Sequence, residues 1–470
     1  MPQKIRIFYT NRFGDTMDTI DTEYYRRLAD FAVDIGELML RSGAETHRVE
    51  DTMSRILATA GFSVYSAFVL PTGVMLTLSE PKVCSISITK RTLDGGKNMS
   101  KVCEANEISR DFCSAKIDLD EAEKRLAAIA KEVLYPMWLK IVGTMFACAG
   151  MAVAFGGGML DFGAGFVCGF FLALVNYFLR SLIGKDIIAD TLCALTVTIA
   201  AIAIAFIFQS YLPRIGTLLT SAVISGCIMP LVPGVAITNA TASIAIGVGA
   251  GIFLGSKLDL TSGINFSSGE LNFLQCIFVF ISMLGFSIVF AIPKKHIVPC
   301  AANAMICWAI YVALKLYTNA GIFWANFIPI LAVDLIAQIL ARILKAPVTS
   351  FLLGGILPLV PGFLIYRTAH LLILRDSGAS AALSQTLLIA GSIALAIFLM
   401  DTLVSMYFRA VAFCPWRGRD DLYFPHERKR YRPLLSETIL FYLRVCLSSD
   451  EYQAGAAKSH GDIGNNPCRE

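Results

Sequence analysis

IGTLLTSAVISGCIMPLVPGVAITNATASIAIGVGAGIFLGS, residues Ile215 to Ser256, runs for 42 residues without an Asp, Glu, Lys or Arg. A helix needs about 20 apolar residues to cross the hydrocarbon core of a bilayer. This stretch is too long for one crossing and long enough for two short ones, with Pro230, Pro233 and Gly234 between them. Eight other uncharged or nearly uncharged runs fit one crossing each: 141–160, 162–179, 187–212, 271–293, 297–314, 316–341, 346–366 and 377–408. The reading is a polytopic α-helical membrane protein with ten spans.

Composition agrees. The 470 residues are 56% hydrophobic and 16% charged, with a mean hydropathy of +0.63, against about 45–50% and 25% for soluble domains. An ordinary soluble enzyme and a disordered chain are both excluded. A net charge of +4 gives no support for nucleic-acid binding. The 13 cysteines are scattered singly, without a C-x-x-C pair, and read as small apolar packing residues. No metal, cofactor or catalytic set is expected. Met1 to Asp15 has no apolar run of signal-peptide length, so targeting is assigned to the first internal span.

The heptapeptide Ile-x-Pro-Leu-Val-Pro-Gly occurs twice, ending at Gly234 and at Gly362, 128 residues apart. The copies fall in the fourth and ninth spans. Each five-span unit has an odd number of crossings, so the second enters with opposite polarity, as in the inverted repeats of secondary transporters. Prolines in a span remove backbone donors, and such breaks are tolerated only against protein or a hydrated cavity. Pro230, Pro233, Gly234, Pro358, Pro361 and Gly362 are therefore candidates for a substrate site, with a packing kink as the plainer alternative. About 46 residues follow Gly362 to the end of span ten but only about 21 follow Gly234 to Gly255, so spans four and five are expected to be unusually short.

Ionisable groups in spans usually face a bundle interior or water. The candidates are Asp334 in span eight, Asp401 in span ten and Asp190 near the start of span three, with Arg367 and His370 after the second break. Asn239 follows the first break at the spacing at which Arg367 follows the second. Lys and Arg at the span ends (Lys140, Arg180/Lys185, Lys294/Lys295, Arg342/Lys345 and Arg409 onward) place both termini in the cytoplasm.

Before the spans, residues 23–136 read as a small α+β cytoplasmic domain with the order α-α-β-β-β-α-α. Leu28, Phe31, Ile35, Leu38 and Met39 recur at helical spacing, and short strands are predicted at 62–69, 74–78 and 83–90. The full partition is a loose N-terminus 1–22, this domain, a first transmembrane repeat 137–256, a loop 257–270, a second repeat 271–409 and a basic tail 410–470.

The segment Ser42-Gly-Ala-Glu-Thr-His-Arg-Val-Glu50, together with the paired Pro-Leu-Val-Pro-Gly breaks and Pro293-Lys294-Lys295, resembles the threonine/serine exporter family (ThrE) over about 25–410. The resemblance implies proton-driven export of threonine and serine across the cell membrane, as an antiporter, or of small dicarboxylates such as succinate in related two-component members. It marks Gly43, Glu45, Thr46, Arg48 and Glu50 as the motif of the cytoplasmic domain. Read physically, the same residues suit capping by Thr46 and surface pairing by Arg48 and Glu50. The expected partners are a small hydrophilic substrate, protons, the lipid bilayer and, as an open option, further copies in a homo-oligomer. Readings of a different class are a membrane-anchored hydrolase or a sensor built on the N-terminal domain. No G-x-x-x-x-G-K-[ST] loop occurs to drive transport by ATP.

Overall fold

A computed structural model describes residues 19–59, 64–80, 83–92, 96, 98–183, 186–211, 216–231, 237–258, 270–318, 320–344, 346–360, 362, 364, 367–368, 371 and 378–412. Helix α1 (Thr19–Arg41) and helix α2 (Thr46–Ala58) bury the apolar stripes that their spacing announces: Leu28, Phe31, Ile35 and Met39 from the first, Val49, Met53, Ile56 and Leu57 from the second. Full burial of one such side chain is worth about 1.5–3 kcal/mol. The helices meet closely, because a Cβ on Gly36 would lie 2.7 Å from the Met53 sulfur. Gly43, at φ 91, ends α1 in the left-handed conformation that glycine adopts without steric cost.

Strands β1 (Val64–Leu70), β2 (Gly73–Glu80) and β3 (Val83–Arg91) form an antiparallel sheet in chain order, with Phe68 opposite Met75 and Leu76 opposite Ile88. Alternation puts Val69, Val74, Leu76, Leu78, Ile86 and Ile88 against α1 and α2. Helices α3 (Met99–Cys113) and α4 (Leu119–Lys131) complete the domain, each capped by a side chain. Asn98 accepts from Lys101 N–H at 3.2 Å, and Asp118 accepts from Glu121 N–H at 2.9 Å. The order α-α-β-β-β-α-α is that expected from the sequence.

Apolar helices follow: α5 (Met137–Ala154), α6 (Met159–Ile183), α7 (Asp186–Tyr211), α8 (Thr220–Ile228), α9 (Ile237–Lys257), α10 (Gln275–Val289), α11 (Ile297–Tyr317), α12 (Ile322–Ile343), α13 (Val348–Ile356) and α14 (Ala379–Ala412). Among the described residues six helices (α5, α6, α7, α11, α12 and α14) contain stretches long and apolar enough to cross a membrane, and shorter apolar helices accompany them. The molecule is a polytopic helical membrane protein with a small N-terminal domain containing a three-stranded sheet. From Thr402 the end of α14 belongs to a second unit, of which 402–412 are described.

Helix α5 lies between α6, α8 and α10, and small residues permit its close contacts. A Cβ on Gly143 would stand 3.0 Å from the Gly285 carbonyl oxygen, and one on Gly169 2.8 Å from Met145 Cα. Cys148, Cys168, Cys193, Cys227, Cys276, Cys300 and Cys307 are buried free thiols in this packing.

Candidate functional site

The two copies of the repeated heptapeptide fold alike. Helix α8 runs into a 3₁₀ turn at Met229–Leu231, and α13 into one at Leu357–Leu359, so both helices stop at nine residues where the first proline removes a donor. The shortness expected of the first copy alone therefore belongs to both. The difference between the halves lies after the break, in the 21 residues of α9 against the 34 of α14.

The breaks meet. A Cβ on Gly362 would lie 3.1 Å from the sulfur and methyl carbon of Met229, and Val360 packs on the apolar cluster that holds Cys227, Ile228 and Leu231. The helices carrying them start from different surroundings. Leu219, the residue before α8, donates its N–H to Asp161 Oδ1 at 2.7 Å, beside the α5–α6 turn where Gly158 N–H also reaches this carboxylate. At the start of α13, Ser350 Oγ is 3.7 Å from Cys103 Sγ in the soluble domain.

Pro230 is half-buried and Pro358 buried in the 3₁₀ turns, and Gly362 is buried. Arg367 is exposed. Pro233, Gly234, Pro361 and His370 lie outside the described residues, and Asn239 falls in α9 with its side chain outside them. Asp190 is buried in α7.

Asp334 is 0% exposed at the middle of α12, and among the described residues neither carboxylate oxygen has a hydrogen-bond partner. One turn on, Gln338 donates to Asp401 Oδ1 at 2.8 Å, and its own carbonyl accepts from Arg342 at 2.6 Å. Asp334, Gln338 and Arg342 thus form a polar stripe along one face of α12, with the exposed Asp401 alongside. Asn303, on α11, donates Nδ2–H to the carbonyls of Val333 at 3.3 Å and Phe351 at 3.4 Å, tying α11 to α12 and α13. Among the described residues its Oδ1 is buried without a partner, as are the hydroxyls of Thr220 and Ser221 at the start of α8. Sequence reading missed Asn303 and Gln338. A signal existed for Gln338, which stands four residues after Asp334 and so shares its helical face.

In the motif of the soluble domain, Glu45 and not Thr46 is the residue at the start of α2, with no side-chain cap. Its carboxylate lies 3.4 Å from Arg48 Nε and 3.5 Å from His47 Nδ1. Glu50 is not free on the surface: Oε1 accepts from Val69 N–H at 2.9 Å and fastens α2 to β1. The domain is seated on the helices. Met99 and Ser100 donate their N–H groups to the carbonyls of Phe290 (3.1 Å) and Ala291 (2.9 Å), and Tyr135 Oη donates to the Ile292 carbonyl at 2.8 Å. Burial pushes the Cys103 thiol in this junction up to about 11.

Two sequence families match. One, described as a threonine/serine exporter (ThrE), covers residues 30–248, and the second, described as "Threonine/Serine exporter, ThrE", covers 275–403. The chain belongs to the threonine/serine exporter family. Curated relatives of this exporter include "Probable succinate transporter subunit YjjP" of Escherichia coli strain K12, 25% identical over 48% of this chain and 86% of that protein. "Pheromone-regulated membrane protein 10" of Pichia sorbitophila is 27% identical over 32% of this chain and 15% of its own length. No solved structure matches. The chain is thus a multi-pass membrane protein carrying both exporter domains, and both matching families are transporter families.

Proposed function

We propose that this chain is a secondary exporter of threonine and serine, working as a proton-coupled antiporter, with substrate handled where the two broken helices meet. The meeting of Met229 with Gly362 carries the reading. It brings together two helix ends whose backbone groups are left over by proline, the arrangement that inverted-repeat transporters use to bind polar groups. Opposite polarity of the two five-helix units is supported by α8 starting beside the α5–α6 turn and α13 starting beside the soluble domain. The soluble domain is assigned to the cytoplasm of a cell-membrane protein, because Lys294, Lys295 and Arg342 flank the connections on its side.

Asp334 is the proposed proton carrier: a carboxylate in the bundle interior without a close hydrogen bond among the described residues is most readily kept neutral by a proton. The relative's printed name raises succinate as a second substrate. Against it stands the buried Oδ1 of Asn303, an acceptor without a partner among the described residues, and an unsatisfied acceptor costs about 1–3 kcal/mol. An amino acid brings an ammonium group, whereas a dicarboxylate brings further acceptors. Cells loaded with threonine, serine or succinate decide the matter. Gradient-dependent efflux of the amino acids supports the reading, and efflux of succinate alone overturns it.

A further inference from the structure

The first turns of the two five-helix units are built alike. Phe155, Gly156 and Gly157 donate their N–H groups to the carbonyls of Met151, Val153 and Ala152; 135 residues on, Phe290, Ala291 and Ile292 donate theirs to Phe286, Ile288 and Ser287. Gly156 and Ala291 both have positive φ, 95 and 49. This register makes Asn303 the counterpart of Cys168, just as the heptapeptides make Gly355 the counterpart of Cys227. The first unit sets two thiols into one apolar cluster where the second sets an amide against a glycine. A Cβ on Gly355 would stand 2.7 Å from Asn303 Nδ2 and would strike Val333 Cγ1. Helices α11, α12 and α13 thus converge at the residue before Asp334, two residues ahead of the 3₁₀ turn of the second break. At any register between 128 and 135, Asp334 matches residues 199–206, which are apolar throughout. We propose that Asn303 is a positioning residue of the transport cycle: it fastens the Asp334 segment of α12 to the end of α13, so that proton exchange at Asp334 moves the second break, with no counterpart at the first. The inference rests on the transport reading above.

The physical case is the orientation of one amide. Both groups facing its nitrogen are carbonyls, Val333 at 3.3 Å and Phe351 at 3.4 Å, so only the NH₂ can point there and Oδ1 is left over. Packing alone does not call for this, because thiols fill the counterpart place in the first unit without leaving an oxygen acceptor over. What the amide adds is direction: a single NH₂ shared by carbonyls of two helices holds them in one relative position, and the bare Cα of Gly355 lets them come that close. Asp334 stands next to one of those carbonyls, and gain or loss of its proton changes the charge buried at that end of the fastening. The other end is the last turn of α13 before the break. The titratable groups on the surrounding elements are Cys300, Cys307 and Tyr311 on α11, Arg342 on α12 and Asp401 beside Gln338, and α13 carries none.

The test uses the full chain in proteoliposomes and two rates: threonine exchange without a gradient, and threonine efflux under an imposed pH gradient. Asn303→Leu keeps the branched shape without the donors, and Asn303→Cys installs the residue of the first unit. Both should keep exchange per folded molecule while stimulation by the gradient falls about tenfold or more, within the usual span of coupling between two sites. Cys168→Ala, at the counterpart position, should keep both rates. A residue that only packs gives a different result, with exchange and gradient-driven efflux falling together or falling only with the amount of folded protein. That result, undiminished stimulation in both Asn303 variants, or equal uncoupling by Cys168→Ala would each overturn the proposal. An unmodified chain whose efflux ignores the gradient overturns the proton-coupled reading and this inference together. Gradient-driven efflux by the unmodified chain with any of the three contrary results overturns the inference alone.

Discussion

Asp334 is costly where it sits, since a carboxylate buried without partners is retained only when something else requires it. Asp334→Asn keeps the shape and the hydrogen-bonding capacity but cannot carry a proton. It should insert and fold normally while gradient-dependent efflux disappears; normal gradient dependence would remove Asp334 from the coupling step. Glu50 makes the opposite case, a motif residue explained by structure. Glu50→Ala leaves the buried end of β1 with an unpaired Val69 N–H and should lower the stability of the soluble domain by about 1–3 kcal/mol. Thermal unfolding followed within that domain checks this, and the transport rate per folded molecule should hardly change. Asp334 could be singled out from sequence because charge in an apolar run is conspicuous. Glu50 could not, since its partner is a backbone group 19 residues away.

Among the elements, the seam between α5 and α10 is held by two glycines, Gly143 and Gly285, each of whose Cα atoms faces the carbonyl oxygen of the other. A Cβ on Gly285 would meet the Gly143 carbonyl and stand 2.8 Å from Ala147 N, with no flexible side chain to give way. Gly285→Val should therefore destabilise the bundle by about 1–3 kcal/mol, measured as a lower melting temperature in detergent; an unchanged melting temperature would show that the seam can open. The positions of the helices were legible in the hydrophobic runs because charge is excluded along a helix buried in lipid or protein, even where, as in α8, α10 and α13, the helix is shorter than a crossing. The break register was legible too, since the same heptapeptide stops α8 and α13 at equal length. What runs of apolar residues could not reveal is which helices touch. Helical spacing marks a buried face without naming its neighbour, and so the joining of α11, α12 and α13 by Asn303 was invisible.

At the scale of the whole molecule, the account makes one claim above the others: two breaks 128 residues apart form one pathway. Pro230 and Pro358 are the described prolines of those breaks, and replacing either with alanine restores a backbone donor and lets the helix continue. A proline in a helix interior costs about 3 kcal/mol relative to alanine, so these variants should keep or gain stability. The decisive measurement is threonine efflux from proteoliposomes under an imposed pH gradient, normalised to folded protein, for Pro230→Ala and Pro358→Ala side by side. The account predicts that both variants lose efflux while remaining folded. Undiminished efflux per folded molecule in both, or a loss that only tracks the amount of folded protein, would contradict it.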